Sequence, residues 1–264
     1  MKNVILCADD YGLTLAVSGG ILDLLAANRL SSTSCMTAST SWAATSKHLL
    51  DYQGTVDIGL HFSLTTLPTL TKVKIGNNDT TYFSLSEIFK GAYGGGLDSD
   101  QIYAELCAQL EEFENAMGNP PNFIDGHHHI HHLPGIRNSI LRLFAENRLD
   151  KRITYVRNCC EKTSTILERN VSTIKCMTYS LIGRSFYQLL VQNNIPTNVG
   201  FSGIYNFNSG LEYGARFRNF LKCARPNALI MCHPGRVDAK LRKIDRLTDQ
   251  RERELEYFLG QDFL

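Results

Sequence analysis

The chain has 264 residues, of which 43% are hydrophobic, and a formal net charge of +1. That length suffices for one large domain with a substantial core, an ordinary size for an α/β barrel, and no low-complexity linker divides it. Near-neutrality argues against a sequence-blind grip on nucleic acid or on an anionic membrane, and no run of about 18 apolar residues is present to span a bilayer.

Val4-Ile5-Leu6-Cys7-Ala8 has the length and continuous apolarity of a strand buried on both faces, and it stops at Asp9-Asp10-Tyr11-Gly12. A helix is expected from 15 to 27, then a strand at Ser34-Cys35-Met36-Thr37-Ala38 and a helix from 42 to 50. Asp57-Ile58-Gly59-Leu60 forms the third strand and ends at His61. Residues 66 to 98 are irregular and rich in Thr, Gly and Asn, the pattern of a long loop excursion over the site face. An amphipathic helix follows from 100 to 117. Asn122-Phe123-Ile124 is a short strand running into Asp125-Gly126-His127-His128-His129-Ile130-His131-His132, which holds five of the eight histidines. Pro134 opens a helix to about 147. Ile153-Thr154-Tyr155-Val156 is a fifth strand ending at Arg157, residues 158 to 195 have a mostly helical pattern, and Thr197-Asn198-Val199-Gly200-Phe201 is a sixth strand. A helix from 211 to 223 precedes the last strand, Ala228-Leu229-Ile230-Met231-Cys232, which ends at His233-Pro234-Gly235. In the final helix, 248 to 259, the charges Arg251, Glu252, Arg253 and Glu254 suit a solvated face.

This alternation argues for a parallel sheet covered by helices. Asp9-Asp10, His61, Asp125-His127, Arg157 and His233 all fall at the C-terminal ends of apolar strands. In a (β/α) barrel those ends meet on one rim, whereas an open doubly wound sheet spreads them along an edge. The expected fold is therefore α/β, a distorted TIM-like barrel with seven main strands and a single domain. Eight cysteines occur without a C-x-x-C pair, and Cys7, Cys35 and Cys232 lie in apolar runs. They read as reduced, buried thiols rather than a disulfide scaffold. The N-terminal apolar run is too short for a secretory signal, so the expected location is cytoplasmic.

The histidine run is internal and broken by Ile130, unlike an expression tag, although a polar surface loop is a competing reading. If strand geometry persists through it, His127, His129 and His131 share one face. Asp10, His61 and His127 together make a two-imidazole, one-carboxylate set able to hold Zn²⁺ or a harder ion. Adjacent Asp9 and Asp10 can serve one site only where the strand bends. One can then ligate while the other acts as general base, the alternative being a helix cap. His233 is either a proton donor or a turn histidine. Arg157 either neutralises an acidic ligand, holds Asp9, or is a surface residue.

Four blocks carry a resemblance. Ala8-Asp9-Asp10-Tyr11-Gly12, Gly59-Leu60-His61-Phe62-Ser63-Leu64-Thr65, Asp125-Gly126-His127-His128-His129-Ile130-His131 and Met231-Cys232-His233-Pro234-Gly235 resemble, in order, the signatures of the YdjC-like carbohydrate deacetylases, the family of chitooligosaccharide deacetylase. The resemblance implies a distorted (β/α) barrel, often in a homodimer, and a divalent metal, usually Mg²⁺ with Zn²⁺ as the alternative. The implied reaction is removal of the acetyl group from an N-acetylated sugar or oligosaccharide. Asp10, His61 and His127 match its metal ligands and Asp9 its base. His233 matches the acid, and Arg157, His129 and Asp125 are placed around the substrate. The chain departs from the family pattern at Asn158, where Pro is expected, and at Tyr11, where Phe is more usual. Residues 158 to 200 match no signature, so the sugar they select is open. Two rival functions keep the metal site: hydrolysis of another bond such as a phosphoester, and metal binding without catalysis.

Overall fold

Seven apolar runs become seven parallel strands among the described residues: β1 (Ile5–Tyr11), β2 (Ser32–Cys35), β3 (Asp57–Phe62), β4 (Phe123–Gly126), β5 (Tyr155–Val156), β6 (Phe201–Ser202) and β7 (Leu229–Cys232). The structure is a computed structural model and describes residues 3–76, 81–207, 212–261 and 263. The strands lie in the order β5-β4-β3-β2-β1-β7-β6. Around them run α1 (Leu15–Ala26), α2 (Trp42–Thr45), α3 (Leu85–Gly94), α4 (Ser99–Met117), α5 (Ile136–Ala145), α6 (Thr163–Arg169), α7 (Thr173–Gln192), α8 (Tyr213–Cys223), α9 (Leu241–Ile244) and α10 (Asp249–Leu259). Among the described residues no helix is long and apolar enough to cross a membrane.

Strand alternation builds two cores. Leu6, Ala8, Leu60, Ile124, Val156 and Ile230 face outward into the layer shared with the helices, while Cys7, Phe123, Phe201, Leu229 and Met231 fill the centre of the barrel. The centre is tight. A Cβ on Gly59 would stand 2.4 Å from the Phe123 ring, so β3 needs glycine where β4 places its aromatic.

The sheet closes irregularly through residues 196–202. The Val156 N–H donates to the Pro196 carbonyl at 2.9 Å, Val156 bridges Thr197, and the Leu229 N–H donates to the Gly200 carbonyl at 2.9 Å. One short segment therefore pairs with β5 at its start and with β7 at its end, giving the distorted seven-stranded barrel expected from the strand count. Asn158 and Asn198 clasp the join. The Asn158 N–H donates to Asn198 Oδ1 at 2.8 Å, and Asn198 Nδ2 donates back to the Asn158 carbonyl at 3.0 Å. A proline at 158 has no N–H to donate. At the other departure from the family pattern, the Tyr11 hydroxyl donates to the Thr45 carbonyl at 2.8 Å.

Two expectations change. Residues 66–98 are not one loop over the site, because the stretch contains α3, opened by a capping box between Ser84 and Glu87. Its first part is pinned to α4, where buried Glu105 accepts from the Leu70 and Thr71 N–H groups at 2.9 and 2.7 Å. Of its described residues Thr66 alone lines the cleft described below. Residues 77–80 and Leu211, which fell in the expected excursion and helix, lie outside the described residues. Strand geometry also does not run through the histidines. β4 ends at Gly126, and residues His127–His132 form a tight helical turn in which His128 and His129 have φ of 54° and 58°.

Replacing Asn198 with Ala removes an acceptor and two donated hydrogen bonds from a buried join, including the one to Gly200. The expected loss is about 3 kcal/mol of unfolding free energy in urea titration; a loss under about 0.5 kcal/mol contradicts the clasp.

Candidate active site

The alternation that packs the barrel centre also delivers its chemistry. Residues two beyond Cys7, Gly59 and Phe123 on the inward face are Asp9, His61 and Asp125, and Arg157 and His233 continue the inward rows of β5 and β7. Plain alternation would turn Asp10 away. Instead β1 shifts register between Ala8 and Tyr11, and Asp10 takes φ 72°, so both aspartates reach the same cleft. Thr66, His128 and His129 at the cleft also have positive φ, so non-glycine strain concentrates here.

Asp10 Oδ1 lies 3.0 Å from His127 Nδ1 and 3.3 Å from His61 Nε2. Donors that share one small ion at about 2.1 Å stand about 3 Å apart, so these three atoms fit a single divalent ion. Their support fits as well. His61 Nδ1 is 2.6 Å from Asp125 Oδ1, and the Ser34 hydroxyl donates to the same oxygen at 2.5 Å. With the Nδ1 proton directed at Asp125, the Nε2 lone pair faces Asp10 and the ligand position. Thr66 Oγ1 meets His127 Nε2 at 3.1 Å.

The charge balance points the same way. Three buried carboxylates, Asp9, Asp10 and Asp125, face two buried guanidiniums, Arg157 and Arg251. Burial would push His61 down, but Asp125 and Asp10 beside it outweigh that and push it up to about 10. The cluster thus draws in a positive charge, which a metal ion would supply in place of a proton. A second acidic group, Cys7, Asp9 and Asp125, has no such space. Arg157 Nη1 already sits there, 2.7 Å from Asp9 Oδ1 and 2.8 Å from Asp125 Oδ2.

Arg157 forks onto Asp9, with Nη2 donating to Oδ2 at 2.9 Å. Burial alone would raise the Asp9 carboxyl; the Arg157 guanidinium overrides it and lowers it below the usual carboxylate range. Arg157 and Asp125 are buried and, unlike Asp9 and Asp10, do not line the cleft; both support residues that do. Of the three residues expected around the substrate, only His129 lines the cleft, with its Nδ1 3.5 Å from Cys159 Sγ. His131 and His132 are buried structural groups. His131 Nε2 meets the Arg157 carbonyl at 3.1 Å, and His132 Nε2 accepts from the Cys159 N–H at 3.0 Å.

His233 also lines the cleft, with Nδ1 lacking a hydrogen-bond partner among the described residues. Enclosure of the ring holds it down to about 4, against the pull of Asp10 and Asp9. Its backbone N–H donates to Glu254 Oε2 at 2.6 Å, and the Tyr205 hydroxyl bonds the other Glu254 oxygen. Here the expectation for the last helix is overturned. Arg251 and Glu254, three residues apart on one face of α10, point inward and are fully buried, and Arg251 Nη2 donates to Asp10 Oδ2 at 2.6 Å. The cleft holds about 390 Å³, and Tyr179, Ile204, Phe207 and Leu247 give it an apolar wall. Lys175 and Tyr179 come from the stretch 158 to 200 that matched no signature.

Replacing Arg157 with Met would leave Asp9 and Asp125 buried without their cation. The expected cost is about 3–5 kcal/mol of unfolding free energy, read by urea titration, and a cost below about 1 kcal/mol rules out Arg157 as the cation that holds these two carboxylates.

Comparison with known proteins bears on this geometry. A chitooligosaccharide deacetylase of Yersinia pestis (strain Pestoides F) is 32% identical over 158 residues, 58% of this chain and 59% of that protein. One of Yersinia pseudotuberculosis serotype O:1b (strain IP 31758) matches to the same extent, so the chain spans about three-fifths of the curated relatives it matches. A solved structure from Enterococcus faecalis V583, named for cellobiose-phosphate cleavage, superposes with a TM-score of 0.68 at 21% identity, covering 99% of this chain and 92% of that one, a likeness of fold. The family model for YdjC-like proteins matches residues 3–264, and the chain belongs to that family.

Proposed function

We propose that the protein is a carbohydrate deacetylase that hydrolyses the acetamide of an N-acetylated sugar or oligosaccharide at one divalent metal ion. The observation that carries this reading is the convergence of Asp10 Oδ1, His61 Nε2 and His127 Nδ1, with Asp9 held ionised beside them. The deacetylase name of the Yersinia relatives supports the substrate class. The wholly parallel barrel and the cleft at the strand ends suit a hydrolase.

Asp10, His61 and His127 would hold the ion, which when bound would polarise the acetamide carbonyl and lower the pKa of water. Two imidazoles in three ligands favour Zn²⁺ over Mg²⁺. Asp9 takes the proton from the attacking water, with Arg157 fixing the carboxylate in place. His233, neutral at rest, would relay to the departing amine the proton that Asp9 takes from the water, so that the nitrogen gains a proton as its bond to the acyl carbon breaks, and His129 also lines the cleft. Tyr179 and Phe207 offer ring faces and edges to the sugar.

A phosphoester reading is weakened by the second acidic group. Two-metal phosphoryl chemistry needs a second ion, and Arg157 fills that place. A binding protein without catalysis has no need of an ionised Asp9 supported by a buried arginine. All eight cysteines are free, which supports the expected cytoplasmic location, and we retain the homodimer as the expected assembly.

Acetate release from N-acetylglucosamine oligomers, with metal and with chelator, tests the reading. The wild type should release acetate and lose that activity with chelator. Asp9→Asn should keep one bound metal per chain and lose about 100-fold or more in kcat. Undiminished turnover in Asp9→Asn removes Asp9 from the role, and no acetate from any oligomer removes the deacetylase reading.

A further inference from the structure

We propose that Arg251 is a positioning residue that restricts Asp10 to a single ligating oxygen and so keeps the metal site open. This inference rests on the metal site read above.

Asp10 divides its oxygens between two tasks. Oδ1 faces His61 and His127, while Oδ2 accepts from Arg251 Nη2 at 2.6 Å. Arg251 is fully enclosed and cannot swing away. The same Nη2 is 2.6 Å from Asp245 Oδ2, and Nε donates to the Leu247 carbonyl at 3.0 Å. Asp245 and Leu247 both line the cleft, so Arg251 ties one wall to the metal ligand.

A carboxylate with both oxygens free can chelate a cation through both. Two histidines and a chelating aspartate would then present four donor atoms, which completes a tetrahedral zinc shell. Closed shells of that kind are structural, whereas catalytic sites keep a position open. With Oδ2 committed to Arg251, three donors remain and a position stays free for water or the acetamide. The guanidinium also draws charge from the carboxylate and repels the incoming cation, so the ion is held less tightly than an unopposed Asp-His-His set would hold it.

The test uses Co²⁺ added to the metal-stripped full chain, with no substrate. Its visible bands report coordination, and their shift with azide reports an open position. In the wild type azide should shift the bands. Arg251→Met should bind Co²⁺ at least about tenfold more tightly and lose the azide shift. Arg251→Lys, which keeps the charge but not the fork across Asp10 and Asp245, should fall between the two, and it decides the matter alone if the Met variant does not fold. Either variant matching the wild type in both affinity and azide response, or binding Co²⁺ more weakly, overturns the proposal. Asp10→Ala separates the two levels of inference, because unchanged Co²⁺ binding in that variant would overturn the metal site itself.

Discussion

One buried guanidinium organises the top of this barrel. Arg157 sits at the end of β5 with no solvent exposure and joins Asp9 of β1 to Asp125 of β4, strands that are not neighbours in the sheet. Isolated, each of these charges would be costly to bury; together their opposite signs offset that cost. The consequences run outward from that pair. Asp125 directs His61, Asp9 stays ionised in a desolvated place, and the space of a second acidic cluster is filled. The arginine thus does its chemistry at one remove, through the groups it holds.

The other constraint is the bend at the end of β1. A regular strand would show one of two adjacent aspartates to the cleft and the other to the helices. The register shift and the positive φ of Asp10 bring both to one side. A left-handed aspartate is tolerable because its short polar side chain finds partners at once, here Arg251, His127 and His61. Strain is thereby spent where the proposed mechanism gives two carboxylates different work, one at the ligand position and one at the proton.

Much of this was legible in the sequence, for physical reasons. Buried parallel strands are short apolar runs, and each ends where a polar residue reaches the rim. Asp9, His61, Asp125, Arg157 and His233 could therefore be placed together before any coordinates. What stayed hidden depended on backbone turns or on long-range burial. That His127 alone of its run joins Asp10 and His61 was legible, but the reason was not: the chain turns after Gly126, and His131 and His132 pack inward. Arg251 and Glu254 looked like surface charge because nothing local shows that α10 lies against the rim. Their spacing of three, with Leu255 and Phe258 buried on the same helix, is the signal that was available. The α3 helix was announced by Ser84 and Glu87 at capping-box spacing inside a stretch otherwise poor in helical pattern. Asn158, a departure from the family pattern, proved to be half of the clasp that closes the barrel.

The central claim is that one ion belongs to Asp10, His61 and His127. Anomalous diffraction at the zinc edge from a Zn²⁺-loaded crystal tests it most directly. The account predicts a single peak about 2.0–2.1 Å from Asp10 Oδ1, His61 Nε2 and His127 Nδ1. A peak on His131 and His132 or among Cys7, Asp9 and Asp125, or no peak at the rim, would contradict it.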